Sequence, residues 1–474
     1  MVMVSTKSVA TQAGALHNMG QNLTSGDLWG NYITAIANGA GLPNADDVVL
    51  MGTAVPANFN TTYKPKHGTK PTKEEAGYQL FNLGDTMAGE TAVYTATNQS
   101  FFHDYATYLD NLTPPGSHSP SPTELKTIAT EQQALNKATN KWQAAVTKAF
   151  AAYTNDVMMF GKHQWADFAA WLAANPGGAP VHAAQAAVAG ASTTLSTTMT
   201  KVYGSDYQAI ASARQACDNV RKAMLGGAAS GPAEMEVEDG LGAKRVVPSY
   251  GIGSLKVYSN WVKQTLTSPP KKPAVSASFN STSGHANMSA SSYYNHTDWH
   301  AGFWFFGAGG SSTQAGSQLN IDTGDSAFGI TFEFEGITEI PNIAPGPWYD
   351  SSLMFGWKAP ITGQQLSIPS SIICVIKPTI TLKLDAKSYA LAQSAYAQSK
   401  SLHVGGWFVS ANHQSGSSSA SMSAAWDSTN NTITLTQDND QPVMVGMRMT
   451  EVVKGGIGTS VINLAETEGS LVPA

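Results

Sequence analysis

His296, Asp298 and His300 alternate in the stretch HTDWH. On a strand, side chains two apart share a face, so these three would project together within a few ångströms. Imidazole nitrogen and carboxylate oxygen are ligands for zinc, iron, manganese or copper, which makes the trio a candidate site for a divalent metal ion. In TFEFEG, Glu333 and Glu335 fall on one face of a strand and Phe332 and Phe334 on the other. Two carboxylates so close need a cation, a donor or open water, because buried like charges repel. With His403, they are the candidates to complete a metal shell.

His403 enters through an echo. YYNHTDWHAGFWFFGAGGSS from Tyr293 and SLHVGGWFVSANHQSGSS from Ser401 align with His300 over His403. Gly302/Gly405, Trp304/Trp407, Phe305/Phe408, Ala308/Ala411 and Ser312/Ser415 then coincide. Of the metal trio only His300 has a counterpart, since Ser399 and Ser401 stand where His296 and Asp298 would be matched. What recurs is a Gly-x-Trp-Phe packing unit. The echo is therefore read as reused architecture, with histidines that hydrogen-bond at the rim of a buried strand.

His-x-Asp followed by a distant His also resembles the ligand order of non-haem iron oxygenases built on a double-stranded β-helix. The resemblance covers His296, Asp298 and His403 as third ligand, and it implies iron-dependent oxidation. Those enzymes carry an arginine about ten residues after the last histidine, to hold an oxo-acid co-substrate. Here position 413 is His, and the next arginine is Arg448.

Other catalytic signatures are missing: no Gly-x-Ser-x-Gly elbow, no phosphate loop ending in Lys-Ser/Thr, no His-Glu-x-x-His. A different chemistry is offered by Ile340–Pro360, which concentrates Trp348, Tyr349, Phe355 and Trp357 among Pro and Gly. Such a loop can stack on a sugar, sit at a membrane interface or plug the end of a β domain.

The elements that would carry these residues divide the chain in four. Residues 1–120 are mixed, with a strand in DDVVLMGTAVP and a helix start in TKPTKEEAGYQLFNL; they pack on the β domain, or on the helices. Residues 121–226 read as a helical bundle, opened by Ser121 or Thr123 as cap. Leu125, Ile128, Leu135, Trp142, Val146, Phe150, Tyr153 and Val157 form its longest apolar stripe, and Ile210, Cys217, Val220 and Met224 form the last. Residues 227–246 read as a flexible acidic linker. Residues 247–474 alternate like short strands with Gly/Asn/Ser turns, interrupted by one helix in Asp385–Ser401. The expected fold is α+β: a helical bundle plus an all-β sandwich, or barrel-like domain, containing the repeat. If residues 1–120 complete the β part, the bundle is an insertion.

Composition narrows the function. Charged residues are only 13% of the 474, the net charge is −6 and there are four arginines, which excludes a nucleic-acid partner. Cys217 and Cys374 read as buried free thiols. The sequence shows no secretory leader and no apolar run of about 18 residues, so synthesis is expected in the cytoplasm, with release to the extracellular space by another route. The leading expectation is a non-enzymatic binding protein, membrane-active or toxin-like, acting through the aromatic loop and neutral polar strands. Its partner would be a membrane surface, a glycan or a protein, with no cofactor. The alternatives are a metal-dependent enzyme at the His-x-Asp-x-His strand, of iron-oxygenase or zinc type, and a self-assembling homo-oligomer.

Overall fold

The computed structural model describes residues 23–457 apart from a number of short stretches, the longest being 284–304, 357–366 and 411–421. The first helix, α1 (Ser25–Gly39), is apolar nearly all round: Leu28, Trp29, Tyr32, Ile33 and Ile36 are each 2% exposed or less. Such a helix belongs in an interior rather than on a surface. After it come β1 (Val48–Pro56) and α2 (Lys73–Asp85). Thr72 starts α2 with a capping box. Its hydroxyl accepts from Glu75 N at 3.1 Å, and the Glu75 carboxylate accepts from Thr72 N at 2.7 Å, an arrangement that contributes about 1 kcal/mol. A short antiparallel pair, β2 (Thr86–Ala88) and β3 (Ala96–Ser100), leads into α3 (Phe101–Asn111).

The bundle follows: α4 (Pro122–Phe160), α5 (Phe168–Ala174), α6 (Ala179–Tyr203) and α7 (Gln208–Gly226). Ser121 caps α4, a helix about 60 Å long. Ile128, Leu135, Trp142, Tyr153 and Val157 line its buried face as their spacing predicts, while Leu125 in the first turn is exposed. These helices share one core with α3.

Part of the acidic connector is a hairpin rather than a flexible linker. β4 (Glu234–Glu238) pairs with β5 (Lys244–Pro248). Its carboxylates alternate with Met235 and Val237, and Val237 is fully buried. Lys244 lies 3.8 Å from Glu236 and 3.7 Å from Glu238, and Asp239 accepts two backbone N–H groups at the turn. Glu236 and Glu238 are half-exposed on a paired strand, and Glu234 at its start is buried. β6 (Tyr250–Ile252) and α8 (Leu255–Thr267) complete this stretch.

The remainder is β7 (Val275–Asn280), β8 (Phe306–Ser311), β9 (Gln314–Gln318), β10 (Gly329–Pro341), β11 (Ile343–Pro345) and β12 (Ser367–Lys383). Then come α9 (Ala386–Ser399), β13 (Ser401–Val404), β14 (Trp407–Ser410), β15 (Met422–Asp427), β16 (Thr432–Gln437), β17 (Val443–Val453) and β18 (Gly456–Ile457). The main sheet runs β1-β17-β12-β16-β15-β14-β13-β8-β9, antiparallel except where β14 meets β15. On its other edge β12 pairs with β10, which pairs with β7. Along β12 the partner changes from β17 to β16 around Lys377 and Pro378. Lys377 has a positive φ of 47° and Pro378 has no N–H to donate, so the ladder must break there. The fold is thus α+β, as the sequence implies, and the chain of β1 through α2 belongs with the sheet, so the bundle is spliced into the β part.

Strands from β17 round to β8 contribute to one core with α1, so the sheet curls about that helix. Trp29 meets Phe305 edge-on at 5.2 Å, Tyr32 meets Phe332 at 4.6 Å, and Trp407 Nε1 donates to the Tyr32 hydroxyl at 3.0 Å. The first half of β12 is buried on both faces. Ile373 and Val375 look into the α1 core, whereas Ile372, Cys374 and Ile376 look into a second core closed by Tyr258 and Val262 of α8.

Candidate functional site

The sequence-derived site residues do not converge among the described residues. His296, Asp298, His300 and Trp357 lie outside them. His403 is buried on β13, opposite Gly307 of β8 and Phe408 of β14. Glu333 and Glu335 are on β10, half-buried and on the face opposite Phe332 and Phe334, as the alternation predicts. Glu333 accepts from the Ser276 hydroxyl at 3.3 Å, and Glu335 pairs with Lys377 at 3.3 Å. β10 borders β12, and β13 is several strands further along the sheet, so these residues occupy separate neighbourhoods. Among the described residues no three His, Cys, Asp or Glu side chains are grouped to hold a metal.

The echo takes a specific form in space. β13 turns through Gly405, whose φ of +54° favours glycine, into β14, while β8 pairs along the other side of β13. Phe305–Ala308 and Phe408–Ser410 therefore flank one strand and run in the same direction.

The aromatic segment is turned inward at its first tryptophan. Trp348 is 1% exposed, with its ring 5.1 Å from Phe102, 5.6 Å from Tyr250 and 5.9 Å from Tyr105. Its indole N–H donates to Ser249 O at 2.8 Å. Asp350 N donates to the Tyr105 hydroxyl at 2.9 Å, and the Tyr108 hydroxyl donates to Leu353 O at 2.6 Å. Tyr349 and Phe355 are half-buried against the same core. The part of the segment around Trp348 is a plug joining α3 to the β part, its ring packed against Phe101, Phe102 and Tyr105 of α3.

The arrangement best suited to binding is one the sequence reading did not single out, and it lies in the bundle. Arg214 and Arg221 are seven residues apart on α7, two turns along one face, and both side chains are about 5% exposed. They close on Asp110 in the last turn of α3, where the helix dipole disfavours an anion. Arg214 Nε donates to Asp110 Oδ1 at 3.1 Å, and Arg221 Nη2 stands 3.7 Å from Asp110 Oδ2, beyond hydrogen-bond reach. Arg214 also reaches the Tyr207 hydroxyl, and Arg221 Nη1 donates to Asp218 Oδ1 at 3.0 Å. Asp218 Oδ2 accepts from Ser192 of α6 at 2.8 Å. Burial pushes the Asp110 carboxyl up, an effect partly offset by Arg221 and Arg214. Burial opposes the charge on both arginines, but Asp110 and the other partners outweigh it and hold them protonated.

Beside this cluster a cleft of about 280 Å³ opens between α4, α6 and α7. Trp142 and Val188 give it an apolar wall; Ser192, Thr193 and Gln215 give it hydroxyls and amides; Arg214, Arg221, Lys222 and Asp218 give it charge. Trp142 Nε1 makes no hydrogen bond here, and Arg221 Nη2 and Asp110 Oδ2, which make none either, face each other as an ion pair at 3.7 Å. Elsewhere the buried indoles of Trp171, Trp348 and Trp407 donate at 2.7, 2.8 and 3.0 Å. Leaving such a donor unmade costs about 1–3 kcal/mol. Cys217 lies between the two arginines on the helix, but burial raises its thiol to about 12, so it stays protonated and unreactive at neutral pH.

A signal for this cluster is present in the sequence. Arg214 and Arg221 fall in register with Ile210 and Cys217 on the apolar face of α7. A charged residue on a buried stripe needs a partner, and the partner comes from α3, 104 residues earlier for Arg214. Comparison with protein-family models, with curated proteins and with solved structures finds no match.

Proposed function

We propose that this is a non-enzymatic binding protein whose small ligand seats in the bundle cleft. The observation that carries the reading is the cleft itself, where Arg214, Arg221 and Lys222 line one concave site together with Trp142 and Val188. Charge converging beside an apolar wall in a concave site is what a small-ligand site needs. The class is the one expected from the sequence, but the ligand moves from the aromatic loop, whose Trp348 is committed to the interior, to the bundle.

The test is thermal denaturation with four probes at millimolar concentration: benzyl alcohol, butylamine, benzoate and inorganic phosphate. At least one probe should raise the melting temperature of the wild type, since a ligand at about 100 times its Kd stabilises by about 2.7 kcal/mol. Ala189→Trp, at an exposed cleft-lining position of α6, should fold normally and lose that response. No response in the wild type, or an equal response in the variant, rejects the reading.

A further inference from the structure

Independently of the cleft, we infer that the far end of α4 is a docking tip for a neutral lipid bilayer, formed by Met158, Met159 and Phe160 with Leu241 beside them. Among the described residues eight large apolar side chains are exposed, and these are four of them, at 59%, 74%, 61% and 54%. The first three are the last turn of the helix, which Gly161 closes by donating its N–H to Val157 O at 2.9 Å. Leu241 joins them through the β4–β5 hairpin. Phe150 faces Arg245 at 4.1 Å and Tyr153 Oη accepts from Lys244 N at 3.2 Å. The chain of β5 thus runs antiparallel to α4, and the turn before it lies towards the end of the helix. Asp239 holds that turn by accepting from Leu241 N and Ala243 N at 2.9 and 2.8 Å.

Geometry selects the occupant. Consecutive helical residues are about 100° apart, so Met158, Met159 and Phe160 fan over about 200°, with Val157 turned to the core on the remaining side. A flat protein surface could cover one of these directions; a fluid phase surrounds all three. One turn of helix is about 5.4 Å long, which suits the 5–10 Å depth of an interfacial contact. Area points the same way. Four side chains of this size, exposed to this degree, present on the order of 400 Å², about half of what each partner buries in a standard stable interface. Among the described residues no helix is long and apolar enough to cross a membrane, so the contact is superficial.

Charge selects the headgroup. Asp156, bonded to Trp171 Nε1 at 2.7 Å, Asp167, capping α5, and Asp239 all belong to this end of the molecule. The free carbonyls of the helix end add partial negative charge. From Asp156 to Asp167 the sequence holds one lysine, Lys162, and no arginine. Anionic lipids select clusters of four or more basic residues, and this tip has none to offer, so its surface is zwitterionic phosphatidylcholine.

Flotation of the intact protein with dioleoylphosphatidylcholine vesicles tests this. An apolar area like that of one acyl anchor implies an association constant of about 10⁴ M⁻¹, so most of the wild type should float at about 1 mM lipid. Met159→Ser with Phe160→Ser should lower the constant at least about tenfold, with an unchanged circular dichroism spectrum. Should the pair not fold, Met159→Ser alone is read, with a loss of at least about threefold expected. Leu125→Ser, in the first turn of the same helix and 48% exposed in the wild type, should change nothing. Replacing about a third of the lipid by phosphatidylserine should give no gain. A wild type that stays in solution, an equal loss with Leu125→Ser, or a tenfold gain from phosphatidylserine each overturns the inference. So does a lipid-free dimer, seen by sedimentation and dissolved by the serine pair, which would make a second copy the occupant.

Discussion

Two buried aspartates, Asp85 at the end of α2 and Asp110 in the last turn of α3, differ in how their surroundings are finished. Both are under 8% exposed, and burial raises both carboxyls. Asp85 accepts from Tyr250 Oη at 2.5 Å and Phe102 N at 2.9 Å, and Tyr250 packs directly over Gly84, where any side chain would collide with its ring. Asp110 keeps one oxygen outside hydrogen-bond reach of Arg221 and stands behind a cleft. The first network is drawn tight by short hydrogen bonds and serves the fold; the second includes a longer ion pair, and its arginines also line a cleft. Burial and charge alone do not distinguish them. Completion does.

The largest effect should come from Asp110→Ala, which strands two buried guanidinium groups and should lower stability by about 3–5 kcal/mol in urea denaturation. Trp348→Ala should cost a similar amount, about 3–5 kcal/mol, because it empties the plug between α3 and the β part. A loss within about 0.5 kcal/mol would instead place that ring at the surface. Tyr250→Phe removes one donor from the closed network and should cost about 2 kcal/mol.

A smaller effect separates the two networks by pH. Burial, with the Asp85 charge adding to it, raises Asp104 to about 6, and one of its oxygens has no partner. Its folded value lies above its unfolded one, so its stabilising contribution is complete below about pH 4 and is lost as pH rises through 6. His103 is lowered to about 4, by burial and then by Arg221, so it acts in the opposite sense and costs stability as pH falls from 6.5 towards 4. Asp104→Asn should therefore raise stability at pH 7 by about 1 kcal/mol, allowing for its partial exposure, and leave a steeper fall on acidification. The smallest change in stability, under about 1 kcal/mol, is expected for Trp142→Phe. Trp142 lines the cleft without a hydrogen bond to lose, and an equally mild Tyr250→Phe would erase the contrast between the two sites.

All four arginines make contacts between distant segments, three of them in the interior and Arg448 half-exposed. Arg214 and Arg221 clamp Asp110, Arg448 pairs with Glu339 at 3.3 Å, and Arg245 lies between the rings of Phe81 and Phe150 at 5.4 and 4.1 Å. In the sequence, so few arginines predict no phosphate-binding surface. In the fold those residues act as fasteners between segments far apart in the chain.

Local chemistry by itself determined the helices with a cap and a stripe, such as α2 from Thr72 and Glu75 and α4 from Ser121 and Glu124, and strands with clean alternation such as β10. These depend on neighbours a few residues away, which a linear sequence displays. Helix α1 escaped because a helix buried on all sides has no polar face to create a period. The acidic hairpin reads as a linker in the sequence because its pairing sets Val237 inside and Glu236 and Glu238 at the surface, a fact of register rather than composition. The candidate site is legible only in half. Arg214 and Arg221 stand out on an apolar face, but Asp110 and Trp142 reach them through tertiary packing of α3 and α4 on α7. Whether a buried charge is satisfied or left open is decided by atoms a few ångströms away in space and a hundred residues away in sequence.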